Sequence, residues 1–251
     1  MCLVALAWNC HPRWRLLLAG NRDEFHARPT AALAAWQLPG RRVLAGRDLR
    51  SGGTWAGLAD DGRVAVVTNV RDPMASASGP SRGQLVADYL AGGADAAGWA
   101  STLEATAAQY PPFNLVLADA HQCRFLSNHP ADAQVLAAGV HGVSNGPLRP
   151  AWPKTARLMA ALQAWVDGGG EDPAPLWAAL ADPTAAADTD LPDTGVGLAL
   201  ERRLSSAFIR GPDYGTRAST LIAVGHDGRG WIAERRFGAN GLSLSETRLE
   251  I

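Results

Sequence analysis

A cysteine at the second position can do chemistry that a cysteine elsewhere in a chain cannot. If the initiator Met1 is removed, Cys2 carries its thiol and a free α-amine on one residue, so that nucleophile and base are a single unit. An α-amine titrates near ~8, which leaves a useful fraction free at neutral pH to accept the thiol proton. Retention of Met1 would remove that mechanism. Further on, Asn21-Arg22-Asp23-Glu24 gathers an amide, a cation and two carboxylates in consecutive positions. A cysteine at this point also suits a plain role, as a small hydrophobe at the start of a buried strand. The elements that carry the charged cluster back to residue 2 decide between the two.

Two strands supply that return. Leu3–Trp8 and residues 14–20 are apolar runs separated by Asn9–Arg13, a turn containing Pro12. A hairpin centred near His11 pairs residues whose numbers sum to about 22, setting Cys2 opposite Gly20 with residues 21–24 emerging beside the thiol. A second hairpin is expected from residues 55–59 and 63–67 around Asp61-Gly62, a pair suited to a type I′ turn. Its numbering faces Thr54 to Asn69 and collects Gly53, Thr54, Thr68, Asn69 and Arg71 at one sheet edge. Gly53 there would admit backbone N–H groups close to a ligand.

Elsewhere the pattern alternates between strand and helix. His26-Ala27-Arg28-Pro29-Thr30 is the charged start of a loop over 26–40, and a short strand is expected near 42–45. Ser81-Arg82-Gly83-Gln84 is a capping box opening a helix with Leu85, Val86, Tyr89 and Leu90 on one face. A second helical stretch covers about 95–109. Strands follow at 113–119, 121–126 and, broken, 135–144, ending in Ser144-Asn145-Gly146-Pro147. Pro153 suits the first turn of a helix with the stripe Leu158, Leu162, Trp165 and Val166, stopped by Gly168–Gly170. Trp177 lies on another short helix, and residues 182–197, rich in Asp, Pro, Thr and Gly, read as a mobile surface loop. Strands at 219–224 and 230–237 around Asp227-Gly228, with a last short one, close the chain. Strands at both ends with helices between fit an α+β fold of two packed antiparallel sheets covered by helices.

The bulk numbers narrow the function. At 251 residues the chain can bury a sizeable core as a single domain spanning 1–251. A net charge of −1 with no basic stripe disfavours a nucleic-acid partner. Cys2, Cys10 and Cys123, without a CxxC spacing, argue against a disulfide framework or a zinc site. The opening apolar run lacks a basic n-region and a cleavage site, and no run reaches the ~20 residues that span a bilayer. A cytoplasmic protein without a membrane span is the expectation.

The blocks MCLVALAW, AGNRDEFHARPT, LAGRDLRSGGTWAGL, GRVAVVTNVRDP, SRG, FNLVLAD, VSNG and WPK resemble the NRDE family, which includes the transport and Golgi organisation 2 proteins. The resemblance runs from residue 1 to about 157 and is looser beyond. More distantly, Met1-Cys2, the approach to Asn69, Ser144-Asn145 and Arg217 look like the choloylglycine hydrolase and penicillin acylase group of N-terminal nucleophile amidases. That resemblance implies a four-layer αββα sandwich. It also implies roles: Cys2 as nucleophile, Asp23 or Glu24 holding its α-amine, and Arg22 stabilising the thiolate. Asn69 would donate to the oxyanion with help from Asn145, and Arg217 would complete the charge network. The amidases carry their Arg before an Asn, whereas Asn21 precedes Arg22 here.

Two functions from different classes follow. One is a hydrolase of an amide or thioester through acylated Cys2, requiring no cofactor. The other comes from the family's links to haem trafficking and to lipid or acyl-CoA homeostasis, and makes the fold a carrier of haem or an acyl ligand. A haem carrier needs an axial ligand lining an apolar pocket. His11, His26, His121, His129, His141 and His226 show no ligand pairing; His11 and His26, expected to flank the site, are the candidates to test. The nine tryptophans could serve as stacking platforms, but Trp8, Trp55, Trp165 and Trp231 fall on periodic positions and read as core. Pocket walls are expected from 26–40 and 182–197. Oligomeric state stays open.

Overall fold

The structure, a computed structural model, describes residues 2–38 and 40–251. In chain order its elements are β1 (Leu3–Trp8), β2 (Trp14–Phe25), β3 (Thr30–Leu38), β4 (Arg41–Asp48), β5 (Ala56–Ala59), β6 (Val64–Asn69), α1 (Arg82–Ala91) and α2 (Ala96–Glu104). There follow β7 (Phe113–Ala118), β8 (Cys123–Asn128), β9 (Ala131–Val135), β10 (Gly139–Val143), α3 (Pro153–Asp167), α4 (Ala174–Leu180) and α5 (Leu198–Arg203). The chain closes with β11 (Tyr214–Gly225), β12 (Gly230–Phe237) and β13 (Ser243–Glu250). One antiparallel sheet has the order β10-β1-β2-β11-β12-β13, the other β3-β4-β5-β6-β7-β8-β9.

Side-chain parity builds the layers. Val4, Leu6, Trp8, Leu16 and Leu18 of the first sheet meet Leu44, Leu58, Val66 and Phe125 of the second in one apolar cluster. On the first sheet's other face, Leu3, Ala5, Ala7, Leu17 and Ala19 pack against Leu158, Leu162 and Trp165 of α3 and Leu176 and Trp177 of α4. The second sheet's outer face buries Val43, Ala65 and Leu117 against Leu85, Tyr89 and Leu90 of α1 and Ala100 and Leu103 of α2. The result is the expected α+β αββα sandwich. Because both faces of β1 are covered, all six of its residues are buried, so it reads as a continuous apolar run.

The first hairpin is offset from its expected register. Leu3 pairs with Asn21 and Val4 with Gly20, so extending the ladder sets Cys2 against Arg22 and not Gly20. The loop absorbs the difference: Asn9 adopts φ 47° and its N–H donates to Arg15 O at 2.8 Å. An offset of two residues preserves side-chain parity, so every strand residue keeps its expected face. The second hairpin also turns differently. Gly62 N donates to Ala59 O at 2.9 Å and only Gly62 of the pair is left-handed, with φ +79°. A type I′ turn on Asp61-Gly62 would require positive φ at Asp61 as well. Its pairs, Leu58 with Val64 and Ala56 with Val66, move the expected partner of Thr54 from Asn69 to Thr68.

Of the two expected loops, one is a strand and the other is an irregular surface segment held by tethers. Most of 26–40 is the edge strand β3, paired with β4 from Thr30–Asp48 to Leu38–Arg41. Residues 182–197 form a strap tied down by hydrogen bonds: Ala186 N to Ser205 Oγ, Arg157 Nη2 to Thr184 O and Thr194 N to Glu201 Oε1. Its polar composition gives no apolar periodicity, so these tethers, made to distant segments, are invisible locally.

The N-terminus of α1 is seated by two glycines. Ser81 Oγ caps it, accepting from Gly83 N at 3.3 Å, while Gln84 bonds Asp88 rather than closing the box. Thr54 N donates to Gly83 O at 3.1 Å, and a Cβ on Gly53 would sit 2.4 Å from Gly83 C. Gly53 thus lets the helix start press onto the 52–54 backbone; ligand approach is not what it is needed for.

Candidate active site

Cys2 lies at the open end of β1, and the parity of Val4 and Leu6 puts its side chain between the sheets, on the same face as Arg22. It is buried, its N–H donates to Asn21 O at 2.8 Å and its Sγ lies 3.4 Å from Asp23 O. Met1 falls outside the described residues. Two cavities meet at Cys2. One, about 550 Å³, runs past Arg22, Glu24, Arg28, Asp48, Trp55 and the 79–83 segment. The other, about 380 Å³, is walled by Phe25, the segment from Val70 through Arg71 and Asp72 to Pro73, Val196, Leu204 and Ile209, with Lys154 and Tyr214 also lining it. Asp23, Glu24 and Asn69 border both. From the expected walls only Arg28 and Val196 contribute; the turn at 48–55, the start of α1 and the 69–73 segment are among the segments that supply the rest.

Alternation along β2 sends its charged residues two ways. Asp23 points to the helical face, where it is fully enclosed; Thr216 Oγ1 donates to its Oδ1 at 2.6 Å. Its Oδ2 has no hydrogen-bond partner among the described residues. Burial pushes the Asp23 carboxyl above the usual range, opposed by the nearby Lys154 ammonium and the Thr216 bond. Lys154, at the start of α3, is equally enclosed and donates to Leu204 O at 3.0 Å. Burial pulls its pKa down, opposed by Asp23 and Cys2. Glu24 is half-buried, 3.6 Å from Arg22 and 3.7 Å from Arg28. Of the two acids open at the sequence level, Asp23 is the one with an enclosed, unspent oxygen.

Arg22 points between the sheets. Its Nη2 donates to Asp48 Oδ2 at 3.3 Å, its guanidinium lies 4.6 Å over Trp55, and Nη1 is buried without a partner among the described residues. Burial lowers its pKa, opposed first by Glu24 and Asp48 and then by Cys2. Asn21 does a structural job, bonding Leu180 O and Ala207 O through Nδ2 and accepting from Ser219 Oγ.

Asn69, at the end of β6, borders both cavities, and Asn145 Nδ2 donates to its carbonyl at 2.8 Å. Asn145 therefore braces the segment carrying Asn69 while itself lining the smaller cavity. Arg217 lies outside the cavities but within electrostatic reach of Arg22, Glu24 and Asp48. It lies in a bulge of β11 between Thr216 and Ala218, and its Nη1 donates to Phe25 O and Arg28 O at 3.1 and 2.6 Å. It steadies the turn after β2 and lines neither cavity. His11 sits at the far end of the first hairpin, stacked on Trp165 at 5.3 Å, and His26 bonds Gly211 O; neither lines a cavity at Cys2.

Lys154, Tyr214, Thr216 and Arg82 join the site without having been picked out from sequence. Tyr214 faces the Cys2 thiol, and burial, reinforced by Cys2, Asp23 and Glu24, raises its phenol pKa. Arg82 lines the larger cavity and donates to Pro112 O at 3.0 Å. One local signal existed: Lys154 and Arg82 each put a cation in the first turn of a helix, where the macrodipole disfavours it. Tyr214 and Thr216 carry no such mark.

The model of the family described as transport and Golgi organisation 2 matches residues 1–239. The chain belongs to that family. It is 33% identical to the Bos taurus transport and Golgi organization protein 2 homolog, with 94% of this chain and 92% of the relative covered. The Homo sapiens homolog is 30% identical, covering 99% of this chain and 97% of its own. Among solved structures, the C2A mutant of conjugated bile acid hydrolase from Clostridium perfringens is similar with a TM-score of 0.57 at 9% identity, over 100% of this chain and 92% of that one. A Caenorhabditis elegans N-acylethanolamine-hydrolyzing acid amidase ortholog follows at 0.50 and 11%, covering 88% and 92%. The family protein thus has the fold of N-terminal nucleophile hydrolases.

Proposed function

We propose that this transport and Golgi organisation 2 family protein is an N-terminal nucleophile hydrolase that cleaves an amide or thioester through an acyl-Cys2 intermediate. Loss of Met1 turns the Cys2 N–H into an amine, and the unspent Oδ2 of Asp23 is the buried anion available to hold it. The amine takes the thiol proton, Sγ attacks the acyl carbonyl, and the side-chain amide of Asn69 donates to the oxyanion. Collapse expels the amine or thiol, which leaves with the proton from the Cys2 amine. Water then hydrolyses the thioester and restores the thiol. Lys154 balances Asp23 from the helical face.

One observation carries this reading: the Cys2 thiol lies where two cavities meet, ringed by buried ionic groups that the fold leaves incompletely satisfied. Intact mass before and after a limiting pulse of iodoacetamide, with peptide mapping, tests it. Loss of Met1 with Cys2 labelled ahead of Cys10 and Cys123 supports the hydrolase. Retained Met1, or an inert Cys2, overturns it and leaves the same cavities to a carrier of acyl ligands or haem.

A further inference from the structure

The seven-stranded sheet ends in β3 on one side and β9 on the other. An edge strand presents unpaired N–H and C=O groups that template another strand unless something blocks them. β3 is blocked. A bulge breaks it between Ala31 and Ala34, Leu33 N donates to Glu234 Oε1 at 2.8 Å, and Arg236 Nη2 donates to Thr30 O at 3.1 Å. The pairing of β9 with β8 is regular, and Leu136 N continues the ladder by donating to Cys123 O at 2.8 Å. Because bonded and non-bonded pairs alternate, Asp132 and Gln134 turn their backbone groups toward β8, while Ala131, Ala133 and Val135 turn theirs outward. Among the described residues, no side chain bonds those outward groups, and none of the three carries a charge. Their side chains share the face of Leu126, toward α2. A cavity of about 450 Å³ lies on that face, lined by Leu103, Phe113, Leu126, Ala131 and Ala133 and by polar residues including Glu104 and Asp132. Val135, two residues along the strand, is 60% exposed.

We infer that β9 pairs antiparallel with β9 of a second copy of this chain, about a two-fold axis through Ala133, joining two seven-stranded sheets into one. The strand is self-complementary in that register. Ala133 meets Ala133 of the second copy and Ala131 meets its Val135, so all three outward residues exchange both backbone bonds. On the other face Asp132 meets Gln134 of the second copy. That pairing suits the two types, since within one chain Gln134 Nε2 donates to Asp132 Oδ2 at 2.7 Å. An axis through Asp132 would set two carboxylates face to face, and like charges directly opposite destabilise a pair. An axis through Gln134 would leave Ala131 without a strand partner, because β9 ends at Val135. Centred on Ala133, the pairing brings the exposed Val135 of the second copy to the edge of the cavity beside Ala131, where its removal from water adds to the backbone bonds. Such an interface is isologous and closes at two copies. It does not depend on the chemistry at Cys2.

Sedimentation velocity over a concentration series tests the pairing. The parent protein is expected to pass from monomer to dimer as concentration rises. Ala133→Lys and Ala133→Asp change an exposed residue and place like charges face to face at the axis. Each should raise the dimer dissociation constant about tenfold. Mixing the two variants sets a cation against an anion and should restore association, because an axis through residue 133 brings the two substitutions together. Amide hydrogen exchange on the parent protein gives a second reading that needs no variant. The Ala131, Ala133 and Val135 N–H groups should gain protection with concentration, while those of Asp132 and Gln134, already bonded to β8, should not change. A parent protein that stays monomeric at every concentration overturns the inference. So does a dimer that both variants form as well as the parent, or one whose outward amides stay unprotected.

Discussion

The two ends of α1 each meet buried arginine, and they are built differently. At the C-terminal end Arg63 is spent: Nη1 donates to Tyr89 O and Ala94 O, Nη2 to Leu90 O and Gly92 O, and Nε to Asp61. Every donor has an acceptor, and the cation lies where the helix dipole is negative. At the N-terminal end Arg22 and Arg82 face the dipole's positive pole, and Arg22 keeps an unpartnered Nη1. Burial is equal, 5% exposed for both Arg63 and Arg22. Burial of charge therefore does not separate architecture from function. Satisfaction does.

The largest expected effect lies at the reactive end. Cys2→Ala should abolish turnover and acyl-enzyme formation, while the free energy of unfolding in urea changes by no more than about 1 kcal/mol, since one small side chain is trimmed; a fully active variant sinks the nucleophile. Asn69→Ala should lower kcat by about 10²–10³ if its amide holds the oxyanion, with kinetics compared at unchanged fold by circular dichroism.

The other end should fail in stability instead. Arg63→Met is expected to cost about 3 kcal/mol in urea unfolding, because it strands the carbonyls at the end of α1. Cys2 alkylation in the native protein should be unaffected. Arg22→Met should cost less stability and slow Cys2 alkylation more. If Arg22→Met proves the more destabilising of the two, the contrast between the ends is wrong.

The smallest effect concerns pH. Cys123 sits in the core between the sheets, and burial, with Asp119 adding, raises its thiol pKa; half-buried Cys10 shifts the same way. An acid whose folded pKa is raised binds its proton more tightly when native, so stability holds below the unfolded value near ~8.5 and declines as pH rises above it. The decline should approach about 1.4 kcal/mol per pH unit per thiol. Cys123→Ala should flatten it in urea titrations between pH 8 and 10. An unchanged slope would show that Cys123 ionises in the native state.

How much was readable depends on the range of each interaction. The stripes of α1 and α3, the Ser81 cap and Pro153 were legible because helix periodicity and capping act over four residues. The hairpin that returns the Asn21–Glu24 cluster to Cys2 was legible in its face but not its register, since parity survives a two-residue shift and turn geometry does not. β3 was hidden: an edge strand in an alanine-rich stretch, with a bulge between Ala31 and Ala34, has little alternation to show. Arg217 keeps electrostatic contact with Arg22, Glu24 and Asp48, while the bulge beside it, which no local pattern shows, ties its guanidinium to the Phe25 and Arg28 carbonyls.

The sequence by itself determined that a cysteine stands second, that strands enclose it, and that amide, cation and carboxylates follow at hairpin distance. These are local facts of residue type and period. Only the tertiary structure decided that Asp23 and not Glu24 is enclosed. It alone placed Lys154 from α3 and Thr216 from β11 beside Asp23, and divided the space at Cys2 into two cavities. Those outcomes depend on which surfaces from distant segments exclude water together, and no local pattern encodes that.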